Sequence, residues 1–437
     1  MADAAPAVHL RSRQYLVLVG AAAVLGIAAA LFTLGFLWVQ HGLQDLLWER
    51  LPNELGVDPH PWYALAVTTL GGLAVGLVLR FVPGHGGPGP AEGHGVGESD
   101  GSLRALPGIL VAALISLAVG ASLGPEGPML AVAASVGPWL ALRSGRETLG
   151  QLFSQAGVGS IFAVLFGSPV ASTLLGLEML TVTGRDLYVL LIPVLVASTA
   201  GFFVFRGVTH GSLDSLADLD FPVYTSLEVR HVVAAIAIGA AGALAGLVLI
   251  AVFRAVDRAL RPFDRSPVAK ATLGGLGIGL VALVVGKETL FSGEAELEQL
   301  LGEPGSKTVA ALCLIVTGKV VATSLSLATG FRGGRIFPSV FIGGTVGLAL
   351  HEAFTSVPLA VAAAAGMAGT AVVILRLPVF VILFVSFFGG PLLLPLIVVA
   401  AVTAYILVFD RRELSGDPPK EQTTVEPDDV GVQPANN

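Results

Sequence analysis

Charge is scarce in this chain. Asp, Glu, Lys and Arg supply only 13% of its 437 residues. That is about half the share of an average soluble domain and excludes a water-soluble globule of this length. Cysteine is scarcer still, and the single Cys313 rules out an internal disulfide. Aromatic residues stop at 7%, so small and aliphatic side chains must do most of the packing. Lys and Arg (24) are outnumbered by Asp and Glu (31), and a net charge of −7 with no basic patch excludes a nucleic-acid binder. The eight histidines fall in no ligand spacing, so neither a metal site nor a cofactor is expected. The apolar–polar alternation of a membrane β-barrel is missing as well.

What fills the chain is apolar: 54% of residues are hydrophobic and the mean hydropathy is +0.82. Glycine, at 55 residues, lets helices approach closely in lipid, where packing replaces the hydrophobic effect. The fold class is therefore all-α and polytopic in a membrane. The first apolar run, 15–39, follows Arg11 and Arg13. It is too long for a signal-peptide core, so it reads as a retained span with a cytoplasmic basic flank. Further runs cover 62–81, 103–123, 129–142, 153–177, 188–208, 231–253, 271–285, 308–328, 339–350, 357–375 and 379–409. Residues 83–101 are too rich in Gly and Pro for helix. They are either a linker or a non-helical stretch inside the bilayer with its backbone satisfied by protein or water.

One carboxylate stands out. Glu126 sits in the Gly-Pro-Glu-Gly-Pro break 124–128, between two long uncharged runs. An acid at that depth is a functional hypothesis by default, the plainer alternative being a helix cap at a wet loop. Pro125 and Pro128 stop one helix and suit the first turn of another. A helix starting there offers free N–H groups and the positive end of its dipole, which together make an anion site.

Several motifs fail for want of context. Gly120-Ala121-Ser122-Leu123-Gly124 matches a nucleophile elbow, which leaves an intramembrane hydrolase using Ser122 as a distant alternative, but the motif ends an apolar helix instead of joining strand to helix. Gly84–Gly89 fits a dinucleotide fingerprint, yet no strand precedes it and Pro88 and Pro90 block the helix it needs. His351-Glu352 begins a zinc motif that Thr355 ends. No catalytic residue is assigned.

Charge also gives orientation. Arg254, Arg258, Arg261, Arg265 and Lys270 follow run 231–253, whereas Asp214, Asp218, Asp220 and Glu228 precede it. By the positive-inside rule this span runs opposite to the first. The chain then divides into a cytoplasmic N-terminus (1–13), a first membrane half (14–209), an extracytoplasmic loop (210–230), an inverted second half (231–409) and a disordered cytoplasmic tail (410–437). Internal echoes agree: Ser168-Pro169-Val170-Ala171 with Leu377-Pro378-Val379-Phe380, and Gly124–Pro128 with Gly333–Pro338. Inverted repeats with paired broken helices place a binding site near the midplane.

At these positions the chain resembles the CLC chloride channel and transporter family, and within it a divergent bacterial branch described only as ion-transport proteins. Gly84-His85-Gly86-Gly87-Pro88 is similar to the family's G-S-G-I-P stretch, with Glu92-Gly93 following. Gly124–Pro128 is similar to G-R/K-E-G-P, Gly330–Pro338 to the G-x-F-x-P region, and Arg376-Leu377-Pro378 to a later R-x-P element. The departures are His85 for the site serine, Pro125 for the basic residue before the glutamate, Ile336 for the Phe, and added Arg332 and Arg335. No tyrosine falls where the family has its inner gate.

The resemblance implies a CLC-like inverted-repeat bundle whose broken helices meet at a midplane anion site. Glu126 would be the gate, with His85, Gly86, Gly87, Ile336 and Phe337 around a chloride or other small anion. Gly124, Gly127, Gly334, Arg332, Arg335 and Glu178 would be pathway or vestibule candidates. A homodimer with one pore per subunit, multi-pass in the inner membrane with both termini cytoplasmic, is the implied assembly. The family's exchangers use a second, inner glutamate, and that position aligns with Met179, next to Glu178. Passive, channel-like permeation is therefore expected, with proton-coupled exchange as the alternative.

Overall fold

The computed structural model describes residues 13–56, 61–82, 103–146, 149–178, 185–209 and 219–409. His85, Gly86, Gly87, Glu92, Gly93 and Met179 lie outside the described residues. The chain is a bundle of helices. In the first half these are α1 (Arg13–Asp45), α2 (Leu51–Glu54), α3 (Pro61–Phe81), α4 (Leu106–Ala118), α5 (Glu126–Arg143), α6 (Gly150–Phe166), α7 (Pro169–Glu178) and α8 (Arg185–Thr209). The second half holds α9 (Val229–Leu260), α10 (Pro267–Val285), α11 (Glu294–Gly302), α12 (Val309–Ala328), α13 (Ile336–Ala353), α14 (Leu359–Leu375), α15 (Pro378–Gly389) and α16 (Leu394–Val408). Among the described residues, seven helices are long and apolar enough to cross a membrane.

The halves repeat one another. α5, α6, α7 and α8 start at 126, 150, 169 and 185, and α13 to α16 start at 336, 359, 378 and 394. Packing pairs recur as well: α1 on α8 and α9 on α16, α5 on α6 and α13 on α14, α6 on α8 and α14 on α16. Even the unusual backbone repeats. Gly120 (φ 90°) has its counterpart in Gly330 (φ 94°), and Gly167 (φ 69°) in Arg376 (φ 61°). At 376 the second half holds a non-glycine residue in a conformation that favours glycine. The Arg376 guanidinium donates from Nη1 to the Val408 carbonyl at 3.0 Å, helping to hold that turn.

The breaks follow sequence chemistry. Proline opens α7 and α15 at the first turn, where its missing N–H costs nothing. Three expected boundaries move. The first span continues as helix past residue 39 to Asp45 and, through one π-turn and α2, to Glu54. Its polar end is held by Gln44 Nε2 and Trp48 Nε1, which donate to the carbonyls of Leu117 and Ala118, each at 2.9 Å. Run 379–409 is two helices, separated at Gly390 (φ 74°) and Pro391, although its hydropathy is unbroken. The acidic stretch after α10 contains a short helix, α11, because Leu297, Leu300 and Leu301 form a buried stripe opposite the exposed Glu298 and Gln299.

The centre of the bundle is aromatic. Phe166, at the end of α6, lies 4.5 Å from Phe384, 5.6 Å from Phe337 and 5.7 Å from Phe380, centroid to centroid. Phe384 is fully buried, so Phe384→Ala is expected to destabilise the fold by about 3 kcal/mol or more through the cavity it leaves. Reversible unfolding in mixed detergent micelles measures this; a loss below about 1 kcal/mol would mean that the neighbouring rings close the gap.

Candidate functional site

Glu126 is the first residue of α5 and is 1% exposed. Its Oε1 accepts from the backbone N–H of Ile336 at 2.6 Å and of Phe337 at 3.4 Å, the first residues of α13. The carboxylate of one half thus rests on a helix N-terminus of the other, where unsatisfied amides and the dipole favour negative charge. Arg335, just before α13, adds an attractive charge. Oε2 has no hydrogen-bond partner among the described residues.

Two loops cross to build this contact. Gly124 N–H donates to Gly334 O at 3.0 Å and Gly334 N–H donates to Gly124 O at 2.6 Å, an isolated antiparallel bridge. Flanking it, Ser122 N–H donates to Ser326 Oγ and Arg332 N–H donates to Ser116 Oγ, both at 3.0 Å. These bonds are mirror copies across the repeat. A Cβ on Gly124 or Gly334 would overlap the Glu126 carboxylate, so glycine at both positions is what lets it lie here. Gly127 is likewise pressed against the Gly333 carbonyl.

Ser122 is part of this joint. Its Oγ shares a 2.8 Å hydrogen bond with Thr323 Oγ1, and both residues are fully buried. Among the described residues, the partners of Ser122 are Ser326 and Thr323, and no histidine is bonded to it.

A cavity of about 930 Å³ leads toward the joint. It opens between the far end of α1 (His41, Gln44, Asp45) and α11 (Glu294, Glu296, Glu298), and reaches Leu123, Pro125 and Phe337. The site's own neighbours therefore form its floor.

Glu178, the other candidate acid, lies elsewhere. At the end of α7, its Oε1 accepts from Val379 N–H at 3.0 Å and its Oε2 from Phe380 N–H at 2.7 Å. It caps α15 as Glu126 caps α13. Phe166 separates the two, touching both Phe337 and Phe380. Sequence reading named Glu178 but not this partner, because the contact joins residues 201 or 202 apart. Lys319 was passed over altogether, although a lone charge inside run 308–328 is the same signal that marks Glu126.

Such crossed, broken helices in inverted halves have a match among known proteins. The family profile described as "Voltage gated chloride channel" covers residues 70–408. The chain belongs to that family. Relatives described as "Putative ion-transport protein YfeO", from Escherichia fergusonii and from Escherichia coli strain K12, are each 32% identical over 422 residues, covering 95% of this chain and 98% of the relative. Among solved structures, a slow cyanobacterial Cl−/H+ antiporter superimposes with a TM-score of 0.74 at 24% identity, over 93% of this chain and 99% of that one. A CLC-type fluoride/proton antiporter gives 0.70 at 21%, over 91% and 96%. At these identities the likeness is one of fold: a CLC bundle of inverted repeats.

Gly334 offers a direct check on the geometry. Gly334→Ala is expected to push the Glu126 carboxylate off the α13 amides, while Gly35→Ala, with open space around it, changes nothing. The readout is anion flux in liposomes across external pH: Gly334→Ala should depart from the wild-type profile and Gly35→Ala should keep it. A wild-type pH response in Gly334→Ala would show that the carboxylate does not depend on this gap.

Proposed function

We propose that the protein conducts chloride or a similar small anion passively across a bacterial plasma membrane, with Glu126 as the gate. The observation that carries this reading is the carboxylate on the Ile336 and Phe337 amides. An ionised Glu126 occupies the place a dehydrated anion would take, and protonation weakens its hold on the amides so that the anion can replace it. Backbone N–H groups suit a permeating ion because partial charges bind it without trapping it. His85, Gly86 and Gly87 are proposed as further residues of the anion site. Gly124, Gly127 and Gly334 keep the passage narrow, and Arg332 and Arg335 raise the local anion concentration. Both termini are assigned to the cytoplasm and the mouth between α1 and α11 to the outside. A homodimer with one pore per subunit is the proposed assembly.

Passive movement is favoured over coupled exchange by Glu178. Both its oxygens are held by α15 amides, and phenylalanine rings lie between it and Glu126. Met179, at the position of the family's inner glutamate, cannot carry a proton. Proton-coupled exchange is the second reading, because the solved structures that share this fold include a Cl−/H+ antiporter and a fluoride/proton antiporter.

Two measurements decide these points. In liposomes, Glu126→Gln is expected to raise anion flux roughly ten- to hundred-fold and flatten its rise with falling external pH, the size set by charge-assisted hydrogen bonds of about 1.5–3 kcal/mol. A flux that keeps its pH dependence rules Glu126 out as the gate. For coupling, liposomes loaded with chloride are given an outward chloride gradient while internal pH is followed. Chloride should leave without driving protons; uphill proton movement that disappears in Glu178→Gln makes the protein an exchanger.

A further inference from the structure

The approach to the site has the wrong sign for an anion. The cavity leading to Phe337 is lined by the carboxylates of Asp45, Glu49, Glu294, Glu296 and Glu298. Its one guanidinium, Arg50, is already bound to Asp45 at 2.9 Å. An incoming anion meets a repulsive collar before it reaches the amides.

Behind one wall of this cavity lies a buried cation. Lys319, on α12, is 0% exposed. Its Nζ donates to the carbonyls of Leu290 at 2.6 Å and Phe291 at 3.0 Å, and sits 4.7 Å from the centroid of the Phe341 ring. The Glu288 carbonyl is a longer third acceptor at 3.5 Å. A neutral amine has two donors and a lone pair, and here the lone pair would point at an acceptor or a π face. An ammonium with three donors fits. No carboxylate lies within ion-pairing distance of it among the described residues. Its charge is solvated by dipoles and a ring, with no direct ion pair among the described residues, and Glu296 acts on it only through space.

The position of this charge matters. Phe291 and Ser292 line the cavity. Phe291 takes a left-handed turn (φ 54°), and its N–H donates to Gly120 O at 3.3 Å, in the loop that leads into Glu126. Phe341 lies one turn beyond the Ile336 and Phe337 amides on α13. Lys319 is thus tied to both sides of the gate. It also acts on the collar: burial pushes the Glu296 carboxyl above its ordinary range, and the Lys319 charge works against that rise.

We propose that Lys319 helps make the acidic approach passable to anions, its buried positive charge offsetting the collar just where the path narrows onto the α13 amides. The proposal rests on the anion-permeation reading above. Lys319 is a positioning and field-setting residue and touches no ion itself.

The test is chloride flux in liposomes for wild type, Lys319→Met, Lys319→Arg, Glu296→Gln and the Lys319→Met/Glu296→Gln pair, each matched for size-exclusion profile. Lys319→Met is expected to lower flux about tenfold and Lys319→Arg to keep it within about threefold. Glu296→Gln should raise flux about twofold alone and restore several-fold in the Lys319→Met background, as opposing charges predict. A latch that acts only through shape would show no such rescue. Wild-type flux in a well-folded Lys319→Met, or no response to Glu296→Gln in either background, overturns the proposal. If Lys319→Met fails to fold, Glu296→Gln and Glu296→Lys carry the test: flux must rise in that order, and equal flux overturns it. A wild type with no anion flux at all sinks the permeation reading instead.

Discussion

A carboxylate from one half of the chain, bonded to the backbone amides of the other, is the contact to which the remaining architecture is fitted. For Glu126 to reach Ile336 and Phe337, two helices must begin inside the bundle, so each half needs a broken segment. For the two loops to cross, their backbones must touch at Gly124 and Gly334, which forbids any side chain there. In hydrocarbon those backbone groups need partners, and the hydroxyls of Ser326 and Ser116 supply them reciprocally to the Ser122 and Arg332 N–H groups.

The same device appears twice with different surroundings. Glu126 is sealed, with one oxygen bonded and the other facing glycine. Glu178 has both oxygens bonded and is partly open at the end of a short helix. Phenylalanine fills the space between the two caps. Glu126 keeps one oxygen without a hydrogen bond among the described residues, whereas Glu178, held at both oxygens, staples α7 to α15. Location in the fold thus gives two chemically identical side chains different work.

Much of this was legible in sequence. Gly/Pro breaks around Glu126, Pro169 and Pro378 located the interrupted helices, because those residues act locally. The repeat was legible in two short echoes, and the structure extends it to helix starts, crossed serines and matching left-handed turns. Long-range consequences were not legible. The Gly390–Pro391 break hides in uniform hydropathy, and α1 runs on because its polar end finds carbonyls about 70 residues away, at Leu117 and Ala118. Glu178's partners are likewise set by tertiary packing. Lys319 was legible in principle, since one ammonium in an apolar run has to find acceptors.

The repeat has a further consequence at its own axis. The residue that corresponds to Glu126 in the second half is Ile336, and the loop positions around them superimpose as Gly124 with Gly334 and Pro128 with Pro338. A joint with the same side chains on both strands would be blind to direction, since turning the molecule upside down would return the same passage. One half gives an ionisable side chain; the other gives the backbone amides on which it rests. Together with Pro125 against Arg335 and Gly127 against Phe337, that difference makes the two strands of the joint chemically distinct on a scaffold whose backbone is nearly the same in both halves.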